Sequence, residues 1–363
     1  ARIERYTRES AKHGGSHCRA ASTDLPSSFS AARPMTNQPL TRRQFLARAS
    51  ALSLAATAAL HNTLRAVPTP GTPPATQPAA GAYKISLNAY SFNKLLNDNI
   101  RHRGPGVTLP QLLDFAAQAK FDAFDPTGYF FPGYPKRADD AYVDSLKSKA
   151  ADLGLAISGT GVRNNFTTSD KPTRDAGVQH IKEWVEVAAR LGAPVVRVFA
   201  DTQKRSQTWE TVAKGFTREQ VRDWIADDLR QCADHGKQFN VRIGVQNHGD
   251  FLRTGQDLLD LVKAVDSDFC GPIVDTGYFK APDPYAEMAL VAPHALNWQI
   301  KQSPFGEESE IATDLPRLMH IVRDSGYRGY LPIETLSPKG KEYDPYKVVP
   351  AFLKELRDAI AAT

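Results

Sequence analysis

Cysteine is scarce in this chain of 363 residues: there are three, and only Cys232 and Cys270 lie beyond the N-terminal leader. Neither belongs to a Cys-x-x-Cys pair, which removes zinc-finger and dithiol redox chemistry from consideration. The two fall in different strand and helix units, so buried free thiols are expected rather than a disulfide. Long apolar runs are missing too, and the Ala-rich stretch 49–60 falls short of the ~20 residues that span a bilayer. A glycine-rich phosphate turn is also lacking. The first strand-like run leads instead into Asn88-Ala89-Tyr90-Ser91-Phe92-Asn93, which argues against a doubly wound dinucleotide sheet, so no nucleotide cofactor is expected.

The formal charge of +5 is unevenly placed. Residues 1–81 hold ten Lys/Arg against three Asp/Glu, which leaves 35 basic against 37 acidic residues in the remainder. The basicity therefore belongs to the leader, and with no basic stripe in the main body no nucleic-acid partner is expected. Within the leader, Met35 opens a segment carrying Thr41-Arg42-Arg43-Gln44-Phe45-Leu46 ahead of the Ala-rich run, a pattern that resembles a twin-arginine export signal. The expected organisation is an upstream segment, 1–34, that is non-native or disordered, a signal peptide over 35–66, and a Pro/Ala-rich flexible linker over 67–82. One catalytic domain over 83–363 follows. Such a protein is expected in the periplasm, with no membrane anchor after cleavage near Ala59 or Ala66.

From residue 84 onward apolar strand-like runs alternate with helical patterns eight times. The strands are read at 84–90, 121–125, 155–160, 194–200, 241–246, 272–275, 295–301 and 329–334. Thr108 is the expected cap of the first helix, with Pro110 tolerated in its first turn, and Gly192 stops the third helix. Eight strand-then-helix units with right-handed crossovers predict an α/β fold, a closed (β/α)8 TIM barrel.

In such a barrel the ends of the strands meet at one mouth. Gln246, Asp275, Gln299 and Glu334 end the fifth to eighth strands, and their carboxylates and amide oxygens are hard donors suited to Mn2+, Mg2+ or Ca2+. Glu334 is the first candidate base. Lys301, two residues beyond Gln299, points to the same face as a candidate acid, enolate stabiliser or stand-in for a cation. His248, two residues beyond Gln246, is a candidate proton donor. Asn88, Tyr129, Arg163, Asn164, Arg197 and Asn247 offer hydroxyl partners and a flat face for a sugar, with Phe130, Phe131 and Tyr134 adding further aromatic surface.

The barrel resembles the xylose-isomerase-like superfamily of sugar phosphate isomerases and epimerases. The resemblance rests on Gln246-Asn247-His248-Gly249, Asp275-Thr276-Gly277, Gln299-Ile300-Lys301 and Gly329-Tyr330-Leu331-Pro332-Ile333-Glu334. It implies a divalent cation held by Glu, Asp, His and Glu, with the two glutamates exchanging protons with a sugar. Asp275 and Glu334 match that pattern, whereas Gln246 and Gln299 replace the first Glu and the His. An amide cannot take a proton near neutral pH, so the two-base shuttle lacks one partner. The expectation is an exported sugar isomerase or epimerase that abstracts a proton next to a carbonyl. The alternatives are a one-base lyase or hydrolase on keto-glycosides and a barrel that only binds carbohydrate. An apurinic endonuclease would need more metal-binding His and a basic groove. The oligomeric state is left open.

Overall fold

Short runs of buried residues become parallel strands, and the amphipathic segments between them become the helices that cover the strands. The computed structural model describes residues 83–202 and 206–363. The readings of 1–34, 35–66 and 67–82 lie outside the described residues.

The strands are β1 (Lys84–Asn88), β2 (Ala123–Asp125), β3 (Ala156–Ile157), β4 (Thr160–Gly161), β5 (Val195–Phe199), β6 (Arg242–Gln246), β7 (Cys270–Asp275), β8 (Asn297–Gln299) and β9 (Tyr330–Ile333). All pairings between them are parallel, in the orders β3-β2-β1-β9 and β4-β5-β6-β7-β8. β3 and β4 are two pieces of the third expected strand, separated only by Ser158 and Gly159. On the other side Ile300, just past β8, bridges to Ile333 of β9 and exchanges backbone hydrogen bonds with Pro332 and Glu334. The eight expected strands thus close into a ring, as a TIM barrel requires.

The helices are α1 (Asn93–Ile100), α2 (Leu109–Gln118), α3 (Asp140–Asp152), α4 (Lys171–Leu191), α5 (Trp209–Val212), α6 (Arg218–Phe239), α7 (Gly255–Val265), α8 (Pro284–Val291), α9 (Leu315–Asp324) and α10 (Pro345–Ala361). Their starts follow from local chemistry. Thr108, Thr217 and Thr254 each form a reciprocal capping box that satisfies first-turn N–H groups, and Pro110 sits in the first turn of α2, where no N–H is missed. Gly192, with φ of +88°, ends α4 in the left-handed conformation that glycine adopts without a steric cost. α4 begins at Lys171 because Asp170 caps it, accepting from the Thr173 N–H.

Two differences from the sequence reading bear on the mouth. The first strand stops at Asn88, whose side chain accepts from the Tyr90 N–H and turns the chain into a 3-10 turn over Ala89–Phe92 and then into α1. Phe130 and Phe131 are core residues, not a sugar platform: Phe131 packs edge-on against Trp184 at 5.2 Å. Cys232 and Cys270 are buried and free, as expected, and burial pushes the Cys270 thiol up to about 12. Among the described residues no helix is long and apolar enough to cross a membrane.

Inside the ring the layer below the mouth is closely packed and mixes apolar side chains with the buried Ser86, Ser158 and Asn297, the two serine hydroxyls 2.6 Å apart. A Cβ on Gly244 of β6 would fall 2.5 Å from Ile273 and 2.9 Å from Val195, so glycine is what lets those two side chains fill the lumen. The layer above it holds the charged Asp125, Arg197, Asp275, Lys301 and Glu334, and that change of chemistry along the barrel axis marks the mouth.

Candidate functional site

Asn88, Asp125, Gln246, Asp275 and Gln299 each end a strand, while Arg197 projects from the middle of β5 and Lys301 and Glu334 follow β8 and β9 by one or two residues. All eight side chains are buried. Register sets two neighbouring pairs at the same height, Asn88 beside Asp125 and Asp275 beside Gln299.

The Lys301 ammonium is the hub. Its Nζ donates to Glu334 Oε1 and lies 3.4 Å from Asp275 Oδ2 and 5.6 Å from the centre of the Tyr278 ring. The backbone of Lys301 is pinned on both sides, its N–H donating to Thr276 Oγ1 and its carbonyl accepting from Thr313 Oγ1. Although burial disfavours a charged lysine, Asp275 and Glu334 outweigh it and hold this amine well above the usual lysine range, so it stays an ammonium. Burial pushes the Asp275 carboxyl up, opposed by Lys301.

Arg197 supplies a second cation. Its Nη1 donates to Gln246 Oε1 at 3.4 Å and lies 3.9 Å from Glu334 Oε2. It fits because residue 161 is glycine: a Cβ there would fall 2.6 Å from the guanidinium. With its carbonyl turned to Arg197, Gln246 donates its NH2 group to Asp275 Oδ2. A glutamate at 246 would instead set two carboxylates against each other, so the amide is matched to its surroundings.

Three of the amides assigned to substrate from the sequence are engaged with the rim itself. Asn164 forms a pair of hydrogen bonds with the backbone of Phe199, at 2.6 and 2.8 Å, and Asn247 forms the same pair with Asp275, at 2.9 and 2.7 Å. Asn88 donates to Gln299 Oε1 at 2.7 Å and accepts from Thr127 and from the Tyr90 N–H. These side chains join successive strand ends and hold the mouth's shape. Arg163 and Tyr129 remain together at the rim, the guanidinium 4.7 Å above the ring.

His248 lies to one side of the hub. Its Nδ1 is 2.6 Å from Asp201 Oδ2, and its ring packs 4.2 Å from Tyr278 and 5.0 Å from Phe199. A carboxylate only accepts, so Nδ1 carries the hydrogen of this contact.

Reading the sequence alone misses Asp125 and Tyr278. Asp125 obeys the rule that singled out the other acids, a polar residue ending a strand, and it ends the strand read at 121–125. Burial pushes this carboxyl up to about 6, opposed by Arg197 and reinforced by Glu334. The Gln299 amide is near enough to lower it slightly, yet neither Asp125 Oδ1 nor Gln299 Nε2 has a partner at hydrogen-bonding geometry. Tyr278 arrives by the turn after Asp275, whose Oδ1 accepts from the Gly277 N–H.

The residues present do not fit the divalent cation that the sequence resemblance implies. Among the described residues no group of three or more His, Cys, Asp or Glu is placed to hold one. The oxygens of the expected ligands Gln246, Asp275, Gln299 and Glu334 already face Arg197, Lys301, Gln246 and Asn88 as donors.

A cavity of about 390 Å³ opens over Lys301, lined also by Ser303, Glu307, Glu310, Leu336 and Lys341. A second cavity, of about 240 Å³, lies at the opposite end of the barrel beside Arg242, Asn297 and Tyr327, remote from the hub.

The displaced acid gives a stability test. Asp125 titrates near 3.8 when unfolded and at about 6 when folded, so as pH rises the unfolded chain loses this proton first. Its contribution to stability therefore falls as pH rises from about 4 to about 6 and is flat above, a loss of about 3 kcal/mol. Asp125→Asn is expected to remove that slope and to stabilise the protein at neutral pH, read by urea denaturation across this range. Identical pH dependence in the two proteins would contradict it.

A family model described as xylose isomerase-like TIM barrel matches residues 113–356. Comparison with curated protein sequences gives no significant match. Among solved structures the chain is similar to the 3-keto-D-glucoside 4-epimerase of E. coli, at 14% identity and a TM-score of 0.60, over 76% of this chain and 100% of that one. It is similar to the D-psicose 3-epimerase of Clostridium cellulolyticum H10, solved with D-tagatose, at 12% identity and 0.62, over 76% and 99%. An L-ribulose 3-epimerase matches at 17% identity and 0.62, over 77% and 96%. At such identities these likenesses establish the barrel and leave the chemistry to the residues. With the family model spanning about two thirds of the sequence and the strands closing into a ring, the chain belongs to the xylose isomerase-like TIM barrel family.

Proposed function

We propose that this protein is a sugar isomerase or epimerase that moves a proton on the carbon next to a carbonyl. One observation carries the reading: the Glu334 carboxylate is buried between two cations, Lys301 and Arg197, at the mouth of the barrel. Removing a proton next to a carbonyl places negative charge on the carbonyl oxygen. An ammonium and a guanidinium already fixed beside the base need no reorganisation to stabilise that charge.

In this reading Glu334 accepts the proton, while Lys301 and Arg197 neutralise the enolate. Tyr90 and Tyr129 offer aromatic surface for a sugar ring, and the cavity over Lys301 is of a size for a small carbohydrate. The names of the similar structures, a 3-keto-glucoside epimerase, a psicose epimerase and a ribulose epimerase, support keto-sugars as the substrate class. Gln246 favours a second reading, because a neutral amide stands where the sequence resemblance implies a second base. A single base suffices to eliminate the leaving group from a keto-glycoside.

The test is exchange in D2O with a panel of keto-sugars and keto-glycosides followed by NMR. Deuterium appearing next to the carbonyl of a sugar or its epimer is expected, and release of the glycosidic alcohol would select elimination. Glu334→Gln is expected to slow either reaction by about 10² to 10⁴-fold with little change in KM. Undiminished turnover in that variant would remove Glu334 from the role. Sugar binding with no exchange and no release would leave a barrel that only binds carbohydrate.

Export by the twin-arginine route belongs to the same proposal, and Arg42 and Arg43 carry it. Replacing both with Lys is expected to keep the protein in the cytoplasmic fraction of a bacterial host. Unchanged appearance in the periplasmic fraction would contradict it.

A further inference from the structure

The oxygens that would surround a cation at this mouth are already engaged. Asp275 Oδ2 accepts from Gln246 and faces Lys301, and its Oδ1 accepts from the Gly277 N–H at 3.0 Å. Glu334 Oε1 accepts from Lys301, and its Oε2 faces Arg197. Gln246 Oε1 accepts from Arg197, and Gln299 Oε1 from Asn88. Both glutamine amides are oriented by these partners, so turning either one over would break its hydrogen bond to Arg197 or Asn88.

Charge leads to the same place. Asp275 and Glu334 carry two negative charges, and Lys301 and Arg197 carry two positive ones, all buried within one layer of the barrel. A divalent ion added to that layer would meet two fixed cations with Asp125 as the remaining acid, and buried charge without compensation is strongly disfavoured. Lys301 is fixed at its backbone and close-packed at the start of its side chain. Its backbone is held by Thr276 and Thr313, and its side chain passes the space a Gly277 Cβ would fill, with Lys301 Cγ 3.0 Å from that point.

We propose that the Lys301 ammonium takes the place of a divalent cation in this barrel, leaving the mouth without affinity for Mn2+, Mg2+ or Ca2+. The inference goes beyond the proposed reaction and does not depend on it, because it is tested by binding and stability in the absence of any sugar. A positive charge at this point is a general requirement for steadying a developing oxyanion. Here it is covalently part of the chain, so chelators and cation supply have no hold on it.

The experiment uses the full chain, with Mn2+ as the probe. Equilibrium dialysis is expected to show no ion on the wild type that is lost in Asp275→Asn, and EDTA and millimolar Mn2+ are expected to leave its Tm unchanged. Lys301→Ala strands two buried carboxylates, so its Tm is expected to drop by roughly 10 °C and to recover in part when Mn2+ is added. The proposal is overturned if the wild type takes up one Mn2+ per chain that Asp275→Asn abolishes, or if Lys301→Ala melts at the wild-type temperature without added ions. Should Lys301→Ala fail to fold, the wild-type dialysis and EDTA measurements decide the question alone. A failure of the keto-sugar reading leaves these binding results untouched.

Discussion

A lysine ammonium held between two carboxylates governs the upper half of this barrel. Lys301 bonds to Glu334 and approaches Asp275, and almost every other polar choice in the mouth answers to that arrangement. Four charges in a buried layer are tolerated only when each is paired and hydrogen-bonded. Gln246 supplies Asp275 with a donor, Arg197 supplies Glu334 with a second cation, and Asn88 fixes Gln299. Removing one member exposes its partners to the full cost of burial, so the cluster behaves as a unit.

The ring makes this possible because it delivers side chains from strands distant in sequence to one level. Asn247 and Asn164 clamp adjacent strand ends by the same pair of backbone hydrogen bonds, and the Ile300 bridge closes the seam beside Lys301 and Glu334. Rigid strand ends suit a site whose function rests on fixed charges, since a misplaced base or cation loses most of its advantage. Glycines at 161 and 244 set how the lumen is filled, the first by admitting Arg197 and the second by admitting Ile273 and Val195.

Much of this was legible in the sequence because a parallel barrel converts one-dimensional order into a single mouth. Polar residues at the ends of apolar runs had to meet, which located Gln246, Asp275, Gln299 and Glu334, and the two-residue repeat of a strand carried the argument on to Lys301. Direction was not legible. Asn88, Asn164 and Asn247 read as free donors, but an amide next to a strand end finds backbone partners that only the packed chain reveals. Asp125 was overlooked although the strand read at 121–125 ends on it, because attention went to the acids ending the later strands, and α1 was overlooked because Asn-rich segments are weak helix formers that need tertiary packing. The aromatic loop after β2 divided in a way composition could not foretell, with Phe131 going to the Trp184 core and Tyr129 staying at the rim.

The amide at 246, where the sequence resemblance implies a glutamate, has a physical reading in this setting. A mouth neutralised by its own lysine and arginine has no use for a further carboxylate at 246, and Gln246 donates where a glutamate could only repel. The account is tested most directly by anomalous diffraction from crystals of this protein grown with Mn2+. It predicts Lys301 Nζ between Asp275 and Glu334 with no manganese peak there; a peak bridging the two carboxylates, with the lysine turned away, would contradict it.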